Sequence, residues 1–322
     1  MSKISKIIAI TSLALGSGLF CNAATAQQQT IAIGTGGTGG VYYPIGGGMA
    51  NIISKYLGIQ ATAEVTGGSV DNIKLVNAGK EQIGLAMADA SLDALKGEGK
   101  FKGTKVPLRA LMVLYPNRMH VVTTEATGIK KMSDLKGKRV STGSPGSATE
   151  VMAFRLIEAA GLDKDKDMKR ERLGASESAN AMKDGKIDAY FWVGGIPTSS
   201  VTDLAATQGI KIKLIDHAQY VDAMNKKYGN LYSADTIKAD SYPGQKTDNK
   251  NIDVWNILVS SDKMSDDMAY KIVKLIFDKK PELVAVHRQA SAFELANQKP
   301  ANSPVPFHPG AIKYFKEKGL SF

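Results

Sequence analysis

A glycine-rich stretch at residues 34–44 has the composition of a ligand-binding loop. Five of its first seven residues are glycines and the other two are threonines. A β-branched run precedes the stretch and apolar residues at helical spacing follow it, so it joins a strand to a helix. Glycines let a ligand approach main-chain N–H groups closely, and the start of the next helix favours anions. The ligand-binding residues predicted here are Gly36, Gly37, Thr38 and Tyr42.

The same stretch contains the pattern G-x-G-x-x-G at Gly34, Gly36 and Gly39. This pattern also occurs in dinucleotide-binding sites. Such a site has an acidic residue about 20 positions further on, at the end of the second strand. Glu64 is the one candidate, and it follows Gly39 by 25 residues. A glycine-rich turn without any ligand is a third interpretation of the stretch.

A second loop at residues 143–147 also precedes a predicted helix. Either Ser144 caps this helix with Pro145 at its first position, or Ser147 and Glu150 form a capping box. In both arrangements hydroxyl and N–H groups converge at the helix start, where a carboxylate can accept several hydrogen bonds. Ordinary capping without a ligand is the alternative. The ligand-binding residues predicted here are Ser144, Gly146, Ser147 and Thr149.

Residues that follow other predicted strands complete the candidate site. Aromatic side chains would enclose the carbon skeleton of a ligand, although an aromatic residue after a strand is more often part of the core. Ser69 caps a predicted helix, and Asn72 lies one turn later on the same face, so the two can share a ligand. Asp89 either caps a helix or pairs with a ligand ammonium. The residues added to the site are Ser69, Asn72, Met87, Asp89, Tyr115, Phe191 and Gly194.

The sequence lacks the signatures of common catalytic and metal sites. The patterns H-E-x-x-H, G-x-S-x-G and the Walker loop do not occur, and the four histidines have no metal-ligand spacing. The single cysteine, Cys21, lies in the N-terminal segment described next. We therefore predict a binding protein without enzymatic activity, metal or cofactor.

The N-terminus predicts export. Residues 1–26 combine a short basic segment, an apolar stretch and the small-x-small sequence Ala24-Thr25-Ala26, as in a cleaved secretory signal peptide. Its removal would reduce the net charge from +10 by the two lysines Lys3 and Lys6. The remaining lysines are interleaved with acidic residues, most densely at 164–171, which predicts a solvated face rather than a nucleic-acid interface. The mature protein is expected in the periplasm.

Strands and helices alternate along the chain, which predicts an α/β fold with a mostly parallel sheet. The pattern restarts near residue 138 and so predicts two units whose strand ends face one cleft. Residues 229–250 are polar and rich in turn residues, and they predict a long irregular segment. Later strands and helices are predicted at 109–115, 119–124, 138–142, 187–193, 252–259, 268–277, 281–296 and 311–318.

The chain resembles the TAXI solute-binding proteins, which serve tripartite ATP-independent periplasmic (TRAP) transporters. Two motifs carry the resemblance most specifically: the glycine-rich stretch at 33–44 and the sequence His308-Pro309-Gly310-Ala311. Motifs that recur in other periplasmic binding proteins extend it over nearly the whole mature chain. They lie at 66–72, 114–116, 135–147 and 188–195.

The resemblance implies a two-lobed, flytrap-like fold of the type II periplasmic binding proteins, with the ligand between the lobes. Residues 27–118 and 256–322 would form lobe 1, and residues 119–255 lobe 2. It also implies a monomer that delivers a small organic acid, glutamate-like or dicarboxylate, to a TRAP permease. Many relatives carry glutamine where this chain has Met87, and a thioether cannot replace an amide's donors. The alternatives are a ligand-presenting partner of a membrane sensor and an exported α/β enzyme.

Overall fold

The computed structural model of the protein describes residues 30–322. The predicted signal peptide at 1–26 lies outside the described residues and stays a prediction. Within residues 30–322, every helix is too short or too polar to cross a membrane.

The described chain contains ten strands that form one mixed sheet. In chain order they are β1 Thr30–Gly34, β2 Gln60–Glu64, β3 Ile83–Met87, β4 Leu108–Thr124, β5 Arg139–Ser141, β6 Lys169–Glu171, β7 Ala189–Gly194, β8 Ile212–Leu214, β9 Tyr232–Ile237 and β10 Asn249–Ser261. Their spatial order is β2-β1-β3-β10-β4-β7-β5-β6, with β8 beside β4 and β9 beside β10. The strands β1–β3 are parallel, and so are β5–β7. We call these groups the first and second parallel blocks.

Helices connect the parallel strands, because a parallel pair needs a long crossover connection. The α-helices of the described residues are α1 Tyr42–Leu57, α2 Ser69–Asn77, α3 Ala88–Lys96, α4 Ala148–Ala159, α5 Ala175–Lys183, α6 Ser199–Ala206, α7 Val221–Tyr228, α8 Asp266–Asp278, α9 Lys280–Val286 and α10 Pro309–Glu317. The face of α1 that carries Ile45, Met49 and Ile52 is buried in the core. The predicted alternation of strands and helices is therefore confirmed.

Two long antiparallel strands, β4 and β10, join the blocks. One part of β10 pairs with β3 of the first block and the other part pairs with β9. The strand β4 pairs with β10 as far as Arg118 and with β7 of the second block from Arg118 onward. The sequence predicts two short strands at 109–115 and 119–124, but the structure has one strand across Pro116. A register shift between β4 and β10 lies next to this proline, where its missing N–H cannot support the ladder.

Three other predictions of secondary structure are wrong. Residues 229–250 contain β9, and the charged run at 164–171 contains β6, although neither was expected to form a strand. Both are short strands whose residues are mostly exposed or partly exposed. Their sequences therefore lack the alternation of apolar and polar residues that predicts a strand. The helix predicted at 281–296 ends at Val286, and 3-10 turns follow it.

A buried neutral histidine connects the segment after β8 to β10. His217 Nδ1 donates to the Ile215 carbonyl over 2.8 Å, and Nε2 accepts from the Ile252 N–H over 3.2 Å. Burial lowers the pKa of His217 to about 4. Both hydrogen bonds require the neutral ring with its proton on Nδ1.

We predict that His217 makes the stability of the fold depend on pH. Histidine in an unfolded chain has a pKa of about 6.5, so between pH 6.5 and 4 the unfolded chain binds a proton that the folded chain does not. The stabilisation is therefore complete above pH 6.5 and is lost as the pH falls toward 4. His217→Gln should lower the free energy of unfolding by about 2 kcal/mol at pH 7.5, and by less at pH 4.5. Urea unfolding followed by circular dichroism measures both values, and an equal loss at the two pH values would contradict the prediction.

Candidate functional site

The carboxyl ends of both parallel blocks surround a cavity of about 310 Å³. The first block contributes the loops after β1 and β2 and the end of β3. The second block contributes the loops after β5 and β6 and the end of β7, and Tyr115 of β4 lies between the two. Ligands of α/β proteins bind at such strand ends. The cavity is therefore the candidate ligand site.

Most of the site residues predicted from the sequence line this cavity. They are Gly36, Gly37, Thr38, Tyr42, Ser69, Met87, Tyr115, Ser144, Ser147, Thr149 and Gly194. The structure thus brings the glycine-rich stretch and the second loop to one enclosed space. Their contact with a ligand stays a prediction.

Asn72 does not line the cavity, contrary to the prediction. Its amide Nδ2 donates to the carbonyls of Thr35 and Leu85 over 2.7 and 2.8 Å. Its Oδ1 accepts from the Thr66 hydroxyl over 2.6 Å. The side chain is fully buried, and its hydrogen bonds connect α2 to β3 and to the residue that follows β1. Its role is to position Thr66, which does line the cavity.

Asp89 is also absent from the cavity wall, and its counter-charge is a protein side chain. Arg155 of α4 lies 3.6 Å from the Asp89 carboxylate and 2.6 Å from that of Asp93. The Tyr232 hydroxyl donates to Asp89 over 2.9 Å. Burial raises the pKa of Asp89, and the charge of Arg155 opposes that shift. The predicted cap role is wrong as well, since Met87 is the N-cap residue of α3.

Trp192 reaches the cavity, whereas Phe191 does not. Side chains alternate between the two faces of a strand. Phe191 therefore points into the core, where it is 1% exposed, while Trp192 packs against Gly40 of the glycine-rich stretch. A Cβ atom on Gly40 would lie 2.9 Å from the Trp192 ring, so glycine is required for this close approach.

Gly146 connects the two blocks instead of lining the cavity. Its carbonyl accepts hydrogen bonds from the Val70 and Asp71 N–H groups in the first turn of α2, over 3.1 and 3.2 Å. Its φ of +79° suits glycine. These two N–H groups at the start of α2 are therefore bonded within the protein. Ser69 is the first residue of α2 rather than its cap.

The first turn of α5, residues 174–177, lines the cavity and was missed by the sequence analysis. The signal was present, because small residues follow a strand as in the other two loops. The strand in question is β6, whose charged sequence indicated a solvated face. The other lining residues not assigned to the site are Gly39, Gly40, Val41, Val65, Thr66, Gly67, Gly68, Ala148, Trp192 and Val193.

The backbone supplies the positive potential of the cavity. Across residues 30–322, no lysine, arginine or histidine lines it. The helices α1, α4 and α5 begin at its wall, as does α2, whose Val70 and Asp71 N–H groups are already bonded to the Gly146 carbonyl. The first turn of a helix carries N–H groups without partners in the helix and a partial positive charge. The cavity therefore favours an anionic group without a formal cation.

The hydroxyl group of Thr149 at the cavity wall is oriented to donate a hydrogen bond. Thr149 Oγ1 accepts from the Val193 N–H over 3.3 Å, so its proton can point elsewhere. Ser69 Oγ accepts from the Met87 N–H over 3.2 Å and donates to the Tyr42 hydroxyl over 3.5 Å, because Tyr42 itself donates to Asn256. Ser147 differs, since its Oγ donates to the Ser144 carbonyl over 2.7 Å and caps α4 through the Glu150 N–H. Ser147 and not Ser144 is thus the N-cap residue, but the predicted capping box is only half formed. The Ser147 N–H donates to the Ser144 carbonyl, and the Glu150 carboxylate pairs with Lys100 and Arg172.

The phenol of Tyr115 lacks a hydrogen-bond partner. Its hydroxyl oxygen is buried and has no partner among the residues that the structure describes. Burial raises the pKa of Tyr115 well above its usual range, so the phenol stays protonated. Tyr42, in contrast, donates to Asn256 Oδ1. A buried polar group without a partner is costly, so the Tyr115 hydroxyl is a candidate donor to a ligand.

The structure does not support the dinucleotide interpretation, because the acidic residue that it requires is not at the cavity. Glu64 ends β2 but does not line the cavity. Within residues 30–322, no cluster of His, Cys, Asp and Glu has the arrangement of a metal site.

Comparisons with known proteins identify the family and the fold. The profile of the NMT1-like family matches residues 33–319. MatC from Rhodopseudomonas palustris, solved with bound malate, is 12% identical, covers 90% of this chain and 97% of its own, and has a TM-score of 0.58. The binding protein component of an ABC phosphonate transporter from Pseudomonas aeruginosa is 14% identical, with coverages of 90% and 95% and a TM-score of 0.56. The predicted two-lobed α/β binding-protein fold is therefore confirmed, while the lobe boundaries stay predictions.

We predict that Asp89 is structural. Asp89→Asn should lower the free energy of unfolding by about 3 kcal/mol, because it removes one partner of a buried ion pair. The matched control is Asp267→Asn, which breaks the exposed pair with Lys271 and should cost less than about 0.5 kcal/mol. Urea unfolding measures both variants. A loss as small as that of the control would contradict a structural role.

Proposed function

We propose that this chain, which belongs to the NMT1-like family, is a periplasmic solute-binding protein of a TRAP transporter. It captures a small organic acid, glutamate-like or dicarboxylate, and delivers it to the membrane permease. The ligand lies between the two lobes, in the cavity at the strand ends, and is bound without chemical conversion.

The observation that carries this proposal is the buried, unpartnered hydroxyl of Tyr115 at a cavity that attracts anions through helix N-termini. A carboxylate oxygen can accept from Tyr115, from Thr149, and from first-turn N–H groups of α4. Each of these donors is already fixed in place, so little conformational entropy is lost on binding. Tyr42 and Trp192 contribute to the wall around the carbon skeleton.

Contacts between loops of the two blocks indicate that the structure is in a closed form. Ser144 Oγ donates to the Gly67 carbonyl over 3.2 Å, and Ser199 Oγ donates to the Gly39 carbonyl over 3.0 Å. These bonds lie at or beside the cavity wall. Separation of the lobes would break them and admit the ligand, and closure would remove the ligand from water and form the surface that the permease recognises.

Two lines of support bear on the ligand and on the transporter. MatC shares the fold and holds malate, a dicarboxylate, which supports an organic acid as the ligand. The fold also occurs in a component of an ABC phosphonate transporter, so the fold alone does not select a transporter class. The TRAP assignment rests on the glycine-rich stretch at 33–44 and the motif His308-Pro309-Gly310-Ala311.

A thermal-shift panel tests the proposal. Mature protein is unfolded, dialysed and refolded to remove any ligand carried through purification, and is then screened with organic acids and amino acids. A ligand at 100 times its dissociation constant stabilises the fold by about 2.7 kcal/mol, which raises the melting temperature by about 5 °C. We expect such a shift with one or a few acids and none with neutral sugars. A uniform lack of response in well-folded protein would contradict acid binding.

Tyr115→Phe is the sharpest single substitution. It removes only the unpartnered hydroxyl, so the ligand-free protein should be as stable as the wild type or slightly more stable. The affinity for the acid identified in the panel should fall about tenfold, the contribution of one hydrogen bond to a charged group. Isothermal titration calorimetry measures the affinity.

The matched control for this substitution is Tyr190→Phe. The Tyr190 hydroxyl is also buried without a partner among the described residues, but Tyr190 does not line the cavity. The control should therefore keep its affinity. Equal affinities for the two variants would show that Tyr115 does not contact the ligand.

A further inference from the structure

The cavity wall contains a single acidic side chain. Among the described residues that line the cavity, Glu177 is the only aspartate or glutamate. It lies in the first turn of α5 and is exposed enough to face solvent as well as the cavity. Its charge stands alone, because no lysine, arginine or histidine shares this wall.

Glu177 covers the start of its own helix. A Cβ atom on Gly174 would collide with Glu177 Oε2, so the carboxylate folds back over the N-cap residue of α5. A carboxylate in that position offsets the partial positive charge of the helix N-terminus. The start of α1, in comparison, has no acidic residue in its first turn, and Asp71 in the first turn of α2 does not line the cavity. The Glu150 carboxylate in the first turn of α4 is paired with Arg172 and Lys100.

The cavity therefore has two chemically different ends. Tyr115 lies on β4, and α5 follows β6, which is separated from β4 by β7 and β5 in the sheet. Three strand spacings amount to about 14 Å, so the strand of Tyr115 and the strand that leads into α5 lie at opposite sides of this part of the sheet. The phenol end offers hydroxyl and N–H donors to an anion. The α5 end, next to Ser176 and the Trp192 ring, presents a negative charge.

We infer that Glu177 determines specificity by disfavouring a second carboxylate at the α5 end of the cavity. This inference rests on the proposed binding of a small organic acid, but it replaces the dicarboxylate and glutamate-like ligands named there with acids that carry a single carboxylate. The preferred acids carry one carboxylate at the phenol end and an uncharged or cationic group at the other end. A cationic group there would pair with Glu177 and could also stack on the face of Trp192.

The test uses two acids of nearly identical shape, succinate and succinamate, which differ by one charge at one end. Calorimetric titration of refolded wild-type protein should give about tenfold tighter binding of succinamate, since closure partly removes the two like charges from water. Glu177→Gln should bring the affinity ratio close to one, mainly by improving succinate binding. The matched control Glu171→Gln removes the same charge from β6, outside the cavity wall, and should keep the wild-type ratio.

The outcomes separate this inference from the function on which it rests. If wild type binds both acids equally, or if Glu177→Gln keeps the wild-type ratio, Glu177 does not select the ligand, although acid binding stands. A change of the ratio in Glu171→Gln as large as in Glu177→Gln would indicate a long-range charge effect and would also overturn the inference. If neither acid binds wild type or variant, the inference is overturned, while the proposed acid-binding function is decided separately by the thermal-shift panel.

Discussion

The pairing of β4 with β10 is the constraint on which the rest of the structure depends. These antiparallel strands run from Leu108 opposite Ser261 to Arg118 opposite Asp253, and they hold both parallel blocks in one sheet. Tyr115 of β4 and Asn256 of β10 lie at the junction, beside the cavity. A slip of one residue in this register would turn every side chain of a strand to the opposite face. The placement of the phenol between the two lobes therefore follows from the ladder, and so does the approach of the two sets of strand ends.

The buried ion pairs of this molecule lie outside the wall of the candidate ligand site. The buried carboxylates of Asp89 and Asp93 share the guanidinium of Arg155 between α3 and α4, next to the cavity but outside its wall. The wall itself carries hydroxyl groups, backbone N–H groups and one carboxylate. Such dipoles are held rigidly by the helices and strands that bear them, so an anion meets donors that need little rearrangement. The same separation explains why a cavity without cations can still attract an acid.

The sequence was sufficient for the local features and for the general location of the site. Glycines and hydroxyls after strands predicted two loops that the structure brings to one cavity, because strand ends of parallel blocks share an edge. What failed depended on partners far away in sequence. The Asn72 amide donates both of its hydrogen bonds to the carbonyls of Thr35 and Leu85, and the Asp89 carboxylate pairs with Arg155.

Edge strands account for much of the rest. No alternation of apolar and polar residues marks β6 as a strand, since its pairing with β5 alone supports it. Because β6 was not predicted as a strand, the first turn of α5 was not placed at the end of a strand, and Glu177 was not assigned to the site. The choice between Phe191 and Trp192 depended on which of two neighbouring strand positions faces the cavity. The sequence pattern does not determine this, because a shift of one residue exchanges the two faces of a strand.

The cavity attracts anions mainly through main-chain atoms, and this affects how its specificity can change in evolution. Side chains on the wall can be exchanged for others without touching the helix termini, because those termini consist of main-chain atoms that every sequence retains. Substitutions at positions such as Met87 alter the volume and the shape offered to a ligand, while the preference for an anion persists. New ligands of the same charge are therefore accessible through single mutations, whereas a side chain that reverses the preferred charge must also overcome the potential of the helix termini.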